Sequence, residues 1–363
     1  MRRPAHALRN QTGKHIVMID FDFPALQRIG FHPHFVPQLA ASLPQQRHPG
    51  RLARVTSVER DAFTLDDGRS SFPARSARFD ASVQPVVGDW VLVTPGLGDF
   101  WIERMLNPLT RLSRRTPGGR QVLASNVDTA LLLMGLDKDF NPRRMERYIA
   151  LVRACGVAPV MVLTKPDIGS DAAGKVAQLR QRIPDDVPAL TLVPGEQSDT
   201  GVLAPWLGVG QTLVLLGSSG VGKSTLTNAL TGSAQATGGT RQGDDHGRHT
   251  TTARSLHRCP GGACIIDTPG LRAWQPDADE DDLEDAFNDI AALAAQCQFR
   301  DCRHEREPGC AVRGGVDEDR LRNYRKLLRE VRRAEQTPLD RIAERGKWKV
   351  LIKAVKVRGR DKQ

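Results

Sequence analysis

A glycine-rich loop that directly follows an apolar strand restricts the fold of this 363-residue chain more than any other feature. The strand reads TLVLLG at 212–217, and a helical stretch follows at 224–230. The loop matches GxxxxGK[ST] and consists of Gly217, Ser218, Ser219, Gly220, Val221, Gly222, Lys223 and Ser224, followed by Thr225. In such a loop, backbone N–H groups surround a phosphate, Lys223 offsets the β/γ charge, and the Ser224 hydroxyl ligates Mg²⁺. The sequence therefore predicts a nucleotide-binding P-loop.

Near-continuous apolar runs before and after this loop have the composition of strands that are covered on both faces of a sheet. They lie at 129–136, 158–165, 188–193, 212–217 and 263–270. Helical stretches at 143–155 and 171–183 separate some of these runs. This alternation is typical of a doubly wound sheet, so we expect a central α/β P-loop domain.

The residues on either side of this region have different patterns. From Arg51, short β-prone runs with a turn signal at Asp66-Asp67-Gly68 favour a small all-β barrel or sandwich. After about Trp274, the sequence becomes acidic, Cys/His-bearing and then helical and basic. A chain of this length usually has more than one core. We expect an N-terminal extension at 1–47, a barrel at 48–115, the nucleotide-binding domain at 116–275 and a mainly α-helical domain with a basic tail at 276–363.

Four residues after the 158–163 strand indicate which base the site binds. They are Thr164, Lys165, Pro166 and Asp167, which have the form [NT]KxD. An Asp carboxylate here accepts hydrogen bonds from guanine N1–H and the 2-amino group, an edge that adenine lacks, while the Lys165 stem lies on the base plane. Because an acceptor left unpaired opposite adenine carries a penalty of a few kcal/mol, the motif predicts binding of GTP and GDP.

The sequence DTPG at 267–270 follows the last apolar run and supplies a DxxG element. Asp267 is predicted to hold Mg²⁺ through water, and the Gly270 N–H to sense the γ-phosphate. A polar, glycine-rich loop at 236–252 has the composition of a switch, and it contains GRHTTT. We predict that Thr251 in this loop closes on Mg²⁺, with Thr250 as the alternative.

A leucine, Leu271, follows Gly270 where many GTPases place a glutamine that orients the attacking water. Since leucine cannot orient water, another group must do so. His249, two residues before Thr251, is the nearest polar candidate by motif; the alternative is that it only packs or hydrogen-bonds within the loop. The predicted catalytic residues are therefore His249, Lys223 and Thr251.

Four potential metal ligands lie within 14 residues of a turn-rich segment, in the pattern C-x4-C-x-H-x5-C. They are Cys297, Cys302, His304 and Cys310. Three thiolates and an imidazole suit tetrahedral zinc, so we predict one structural zinc ion per chain. The remaining cysteines lie in apolar or strand contexts and are predicted to fill the core: Cys155, Cys259 and Cys264.

The charge of the chain suggests a polyanionic partner, because 52 Lys and Arg exceed 42 Asp and Glu and give a net charge of +10. Residues 341–363 hold nine Lys or Arg against two acidic residues. This tail is either a solubilising terminus or an arm that binds phosphates. No run of 18 apolar residues could span a bilayer, and the N-terminus lacks the features of a signal peptide. We therefore expect no membrane association, a cytoplasmic location, and cysteines that are reduced thiols or metal ligands.

The nucleotide motifs occur in an unusual order. The base motif at 164–167 precedes the P-loop, whereas in a regular small GTPase it follows DxxG. The position of a strand in the sheet decides where its loop points, so the same site can form if the chain is cut elsewhere and its old ends are joined. The order therefore predicts a circularly permuted GTPase, in which the segment after DxxG runs directly into the C-terminal region.

With these motifs in this order, the chain resembles the ribosome small-subunit-dependent GTPase A family over residues 48–335. The resemblance implies an N-terminal OB-fold, a central permuted GTPase and a C-terminal zinc domain. It also implies a role in late maturation of the small ribosomal subunit, contact with its rRNA, and GTP hydrolysis stimulated by the subunit. By motif, His249 matches the catalytic histidine of the family and Thr251 its switch threonine.

The chain departs from the family in two places. Thr164 stands where Asn is usual, and Val193-Pro194-Gly195 stands where Ser-Ala is expected against the guanine O6. The competing hypothesis is an RNA-binding assembly module whose nucleotide site only senses GTP or GDP. A permuted GTPase that acts on the large subunit is disfavoured by the barrel and the cysteine cluster. We expect a monomer.

Overall fold

The computed structural model describes residues 19–20, 22–42, 50–59, 62–76, 84–96, 98–116, 119–193, 200–232, 254–267 and 280–335. The chain divides into two compact units, residues 1–277 and 278–363, and each is described by itself. Several residues named above lie outside the described ranges: Pro194, Gly195, His249, Thr250, Thr251, Gly270, Leu271 and the tail 341–363.

The first unit contains both strands and helices. Its strands are β1 (Ile19–Asp20), β2 (Gly50–Glu59), β3 (Ala62–Asp66), β4 (Ser71–Ser76), β5 (Trp90–Pro95), β6 (Phe100–Met105), β7 (Arg111–Thr116), β8 (Gly119–Ser125), β9 (Thr129–Gly135), β10 (Ala158–Thr164), β11 (Ala189–Thr191), β12 (Thr212–Gly217), β13 (Ser255–Arg258) and β14 (Cys264–Asp267). Its helices are α1 (Phe23–Gln27), α2 (Val36–Ser42), α3 (Pro142–Ala154), α4 (Ala172–Arg180) and α5 (Lys223–Thr231), with 3₁₀ helices at Pro33–Phe35 and Gly201–Trp206.

A mostly parallel sheet forms the centre of the first unit, in the order β11-β10-β9-β12-β14-β13. The strands from β11 to β14 run parallel, and β13 is antiparallel to β14. Every residue of β9, β12 and β14 is buried, as the apolar runs predicted. The central α/β fold expected from the sequence is therefore confirmed, and its parallel strands end at one common edge.

Strands β2, β3, β4, β6 and β5 pair in this order, and β5 pairs back to β2. All of these pairings are antiparallel except β4 with β6. This is the Greek-key barrel of an OB-fold, which confirms the more specific of the two all-β predictions. Between β3 and β4, Gly68 has a φ of 87°, as the Asp-Gly turn signal indicated.

The barrel and the parallel sheet are continuous, because β13 pairs with β2 at Ser255 and Ser57. Residues 22–42 pack on the barrel through aromatic side chains. The ring of Phe31 lies 5.0 Å from that of Trp90 on β5, and Phe35 lies 6.3 Å from the same ring. These residues of the extension are therefore part of the first unit.

The second unit is helical over its described residues, with α6 (Glu280–Ala286), α7 (Asn288–Ala294), α8 (Val312–Gly315) and α9 (Glu318–Glu335). Its core contains Phe287, whose ring lies 5.3 Å from that of Tyr324. Arg320 forms two hydrogen bonds to Asp289, and its guanidinium lies 4.7 Å from the centre of the Phe287 ring. Nowhere in the described parts of the chain is a helix both long and apolar enough to cross a membrane.

Candidate nucleotide site and metal centre

The P-loop begins where β12 ends and leads into α5. A Cβ atom at Gly217 would lie 2.7 Å from the carbonyl oxygen of Leu133 on the neighbouring β9, so this position has no room for a side chain. Gly220 and Gly222 have φ values of 76° and 106°, which strain any residue other than glycine. The loop therefore has the backbone required to surround a phosphate at a helix N-terminus.

Lys223, the first residue of α5, is 9% exposed and folds back over the loop. Its Nζ donates to the carbonyl oxygens of Gly217 at 2.9 Å and Ser218 at 2.6 Å. The Ser218 hydroxyl is buried and has no hydrogen-bond partner among the described residues. Ser224 is exposed. An ammonium, an unsatisfied hydroxyl and an exposed serine fit the Mg²⁺-bound phosphate chain of a nucleotide.

Thr164 connects the base motif to the P-loop. Its hydroxyl donates to the carbonyl oxygen of Val221 at 2.8 Å, and both residues are buried. Because β9 lies between β10 and β12, this hydrogen bond joins two loops that are not on adjacent strands. Thr164 therefore fixes the position of the base motif relative to the phosphate loop. Asp167 is exposed at the same edge, where its carboxylate is accessible to a ligand.

Lys165 is bound to an acidic residue that sequence reasoning missed. Its Nζ lies 3.0 Å from Oδ2 of Asp137, which follows the end of β9. Desolvation raises the pKa of Asp137, but hydrogen bonds from the backbone N–H of Asp139 and from Lys165 outweigh it, so the pKa lies below its ordinary value. Asp137 is therefore an ionised partner of Lys165. The signal that could have identified it is an acidic residue directly after a buried parallel strand.

Asp267 is the last residue of β14 and is buried. In the sheet, β14 pairs with β12, which is followed by the P-loop, and β10, which carries Thr164, lies on the far side of β9. The carboxyl ends of β10, β12 and β14 thus bring Asp167, Lys223 and Asp267 to one edge of the sheet. His249, Thr250, Thr251 and Gly270 lie outside the described residues.

The second unit brings all four predicted metal ligands together, with their ligand atoms within 4.8 Å of one another. Sγ of Cys297 lies 3.9 Å from Sγ of Cys310 and 3.6 Å from Nδ1 of His304, and Sγ of Cys310 lies 3.5 Å from the same nitrogen. Ordinary zinc bond lengths place two tetrahedral sulfur ligands about 3.8 Å apart, and a sulfur and a nitrogen about 3.5 Å apart. The cluster therefore has the dimensions and the donor set of a closed zinc site.

The pKa values of two thiols in this cluster are shifted in opposite directions. Desolvation and the neighbouring Cys310 and Cys297 thiols raise the pKa of Cys302 to about 11. Desolvation also opposes ionisation of Cys297, but the backbone N–H groups of Val312 and Ala311 hold its pKa below the ordinary value. Metal binding at this cluster must therefore displace the proton of Cys302.

Glu307 shapes the loop between the ligands, a role that no sequence signal indicated. Its carboxylate accepts hydrogen bonds from the backbone N–H groups of Arg303, Glu305 and Arg306 at 3.0, 2.8 and 3.0 Å. A hydrogen bond from its own backbone N–H, together with these three, lowers the pKa of Glu307 to about 2. His304 itself has a φ of 60°, so the loop holds the ligand in a conformation that is uncommon for histidine.

Comparisons with known proteins assign the fold and the family. Two solved structures share the fold: YjeQ from Thermotoga maritima has a TM-score of 0.61 and 24% identity, over 79% of this chain and 100% of that chain. YloQ, described as a circularly permuted GTPase, has a TM-score of 0.57 and 21% identity, over 80% of this chain and 98% of that chain. The fold is therefore that of a circularly permuted GTPase.

The sequence comparisons are more specific. Residues 105–277 match the RsgA GTPase family model. The "Small ribosomal subunit biogenesis GTPase RsgA" of Xanthomonas oryzae pv. oryzae is 42% identical over 346 residues, which are 90% of this chain and 94% of that protein. The protein of the same name from Xanthomonas campestris pv. campestris is 42% identical over 319 residues, 83% of this chain and 87% of its own. The chain therefore belongs to the RsgA GTPase family and is a GTP hydrolase.

Proposed function

We propose that this chain binds the small ribosomal subunit through its rRNA, and couples GTP hydrolysis to a late step of subunit maturation. The names of its 42%-identical relatives support the choice of subunit. The observation that best supports a coupling between rRNA binding and GTP hydrolysis is the pairing of β13 with barrel strand β2, at Ser255 and Ser57. Since β13 also pairs with β14, which ends at Asp267, one strand connects an RNA-binding type of barrel to the nucleotide site.

The proposed roles of the site residues follow from their motifs. GTP is held by residues 164–167, by residues 217–225, and by Asp267 and Gly270. Mg²⁺ is ligated by Ser224 and Thr251, and by Asp267 through water. His249 orients the attacking water, while Lys223 stabilises the charge that develops on the phosphates. For Lys223 and Asp267, the support is their position at the common sheet edge; for His249, Thr251 and Gly270, it is the sequence alone.

We propose that zinc is the metal bound by Cys297, Cys302, His304 and Cys310, one ion per chain. The distances within the cluster and its three sulfur donors support a structural site over a catalytic one, because no position is left for water. The ion would hold the turn between α7 and α8 in place. It would thereby stabilise a unit whose described part, 280–335, is too short for a large core.

The segment boundaries at 47, 115 and 275 also stay predictions, as does the monomeric state. A cytoplasmic location would follow from the proposed partner.

We further propose that the basic tail at 341–363 binds rRNA phosphates. If it does, log affinity for the subunit should fall roughly linearly with log salt, and deletion of the tail should flatten that slope.

Sedimentation of the chain with purified small subunits tests the coupling. More chain should bind with a non-hydrolysable GTP analogue than with GDP, and single-turnover hydrolysis should be much faster when subunits are present. Large subunits serve as the control and should have neither effect. Equal binding in both nucleotide states without stimulation would instead support the competing RNA-binding module.

A further inference from the structure

The loop at 136–139, which follows β9, is fixed against the base motif through its backbone. Leu136 N–H donates to the carbonyl oxygen of Thr164 at 2.8 Å. Lys175 of α4 donates to the Leu136 carbonyl oxygen at 2.5 Å. A Cβ atom at Gly169 would lie 2.2 Å from the same oxygen, so the chain after the base motif also approaches this loop closely. The loop and the base motif are therefore one local structure.

Asp137 lies in this loop and forms an ion pair with Lys165 of the base motif. Its Oδ2 accepts from the Lys165 ammonium at 3.0 Å, and its Oδ1 accepts from the backbone N–H of Asp139 at 3.0 Å. The two side chains of the ion pair are 28% and 16% exposed, for Lys165 and Asp137 respectively. A Cβ atom at Gly135 would lie 2.4 Å from Oδ1, so the glycine leaves space for the carboxylate.

A second acidic residue connects this loop to α3. Oδ2 of Asp139 accepts from the backbone N–H of Gly135 at 3.2 Å and pairs with Arg144 at 2.7 Å. Arg144 also donates to the Asp139 carbonyl oxygen at 2.6 Å. Because Arg144 belongs to a 13-residue helix, the carboxylate of Asp137 is presented by a rigid support rather than by a free loop.

We propose that Asp137 is a positioning residue for guanine recognition: it holds the Lys165 ammonium so that the lysine stem lies in place for the base. This inference rests on the proposed GTP site. Lys165 comes directly after β10, which sets the position of its backbone, whereas its long side chain is held by the ion pair with Asp137. Fixing the ammonium removes rotamer freedom that the nucleotide would otherwise have to remove on binding.

The expected effect is on affinity and not on chemistry. GTP and GDP present the same base, so loss of Asp137 should weaken both to the same degree. Asp137 is paired with Lys165 of the base motif and not with the P-loop, so kcat at saturating GTP should not change. A residue that only stabilised the fold would lower the melting temperature without a selective loss of guanine nucleotide affinity.

The test compares Asp137→Ala, Asp137→Asn, Lys165→Met and the double variant Asp137→Ala/Lys165→Met in the full chain. Asp137→Ala should raise the Kd of GTP and of GDP about 10-fold each, as expected for loss of a charge-assisted hydrogen bond. Asp137→Asn, which keeps an acceptor for Lys165, should raise both by about threefold. In the Lys165→Met background, Asp137→Ala should have no further effect, because its partner is already gone.

Asp186→Ala is the control, because Asp186 forms an ion pair with Arg153 of α3, and neither residue belongs to the base motif or to the P-loop. It should leave both Kd values unchanged. The inference is overturned if Asp137→Ala leaves the Kd of GTP unchanged, or if its effect is the same with Lys165 and with Met at position 165. Should the Ala variant not fold, an unchanged Kd in Asp137→Asn overturns it. If the unmodified chain does not prefer GTP to ATP, the GTP site itself is wrong, which is a separate outcome.

Discussion

Replacement of Arg54 by Met tests whether one buried cation holds the first unit together. Arg54 lies on barrel strand β2 and is fully buried. Its guanidinium donates to the carbonyl oxygens of Gly88, Ile29 and Asn126 at 3.2, 2.5 and 2.9 Å, and to the Thr212 hydroxyl at 2.9 Å. These acceptors belong to the barrel, the N-terminal extension, the segment before β9 and the first residue of β12.

The size of the effect follows from what the acceptors lose. Methionine fills similar apolar space but donates no hydrogen bond, and each buried acceptor left without a donor costs about 1–3 kcal/mol. Gly88 is partly compensated, since its carbonyl oxygen also accepts from Asn126 Nδ2 at 2.9 Å. Burial lowers the pKa of Arg54, so removing the cation also relieves a desolvation penalty. We expect a net loss of about 3–5 kcal/mol in the free energy of unfolding of the first unit.

Differential scanning calorimetry of the full chain measures this loss, in the transition assigned to the first unit. Arg75→Met is the control, because Arg75 forms an ion pair with Asp99 in which its side chain is 64% exposed. The control should lose less than about 1 kcal/mol. If Arg54→Met unfolds within about 1 kcal/mol of the unmodified chain, the buried hydrogen bonds of Arg54 do not hold these segments together.

Three further predictions concern the candidate sites. Asp167→Ala should raise the Kd of GTP by about 10-fold or more while ATP binding stays poor. Equal affinity of the unmodified chain for ATP and GTP would contradict guanine recognition. Metal analysis should find one zinc per chain. Cys302→Ser or chelation should unfold the second unit and leave GTP binding intact. Metal-free protein with an intact second unit would disprove the structural role of the metal. His249→Ala should lower kcat on the small subunit with little change in GTP affinity, whereas normal turnover would assign water orientation to another residue.

The strands of the parallel sheet could be predicted because their apolar character does not depend on distant residues. The runs at 129–136 and 212–217 correspond to β9 and β12 within one residue. The run at 188–193 forms a shorter strand, β11, which includes only Ala189–Thr191. It is shorter because β11 lies at the edge of the sheet and pairs only with β10 over its described residues. The positions of the nucleotide motifs at the ends of the inner strands could be predicted from the same apolar runs, because each of these motifs lies at the end of one run in the sequence.

Contacts between distant segments could not be predicted in this way. An arginine in a barrel strand would be expected on the solvent face, and nothing near Arg54 in sequence shows that Thr212 will accept its hydrogen bond. The same holds for Asp137, whose importance depends on the pairing of β9 with β10. The Cys/His cluster is the opposite case. Its four ligands lie within 14 residues, so the spacing predicts that they meet, and the structure brings them together.

The strand order explains why a permuted chain keeps a GTPase site and what the permutation changes. Each motif follows the carboxyl end of a strand, and the order β10-β9-β12-β14 fixes their neighbours whichever strand comes first in the chain. What differs is the segment that leaves each motif. Here β14 is the last strand of the first unit among its described residues, and the second unit begins at Ala278. The predicted γ-phosphate sensor at Gly270 therefore lies close in sequence to the end of the first unit at Asp277, and we predict that a change in the nucleotide acts on the second unit through this short segment.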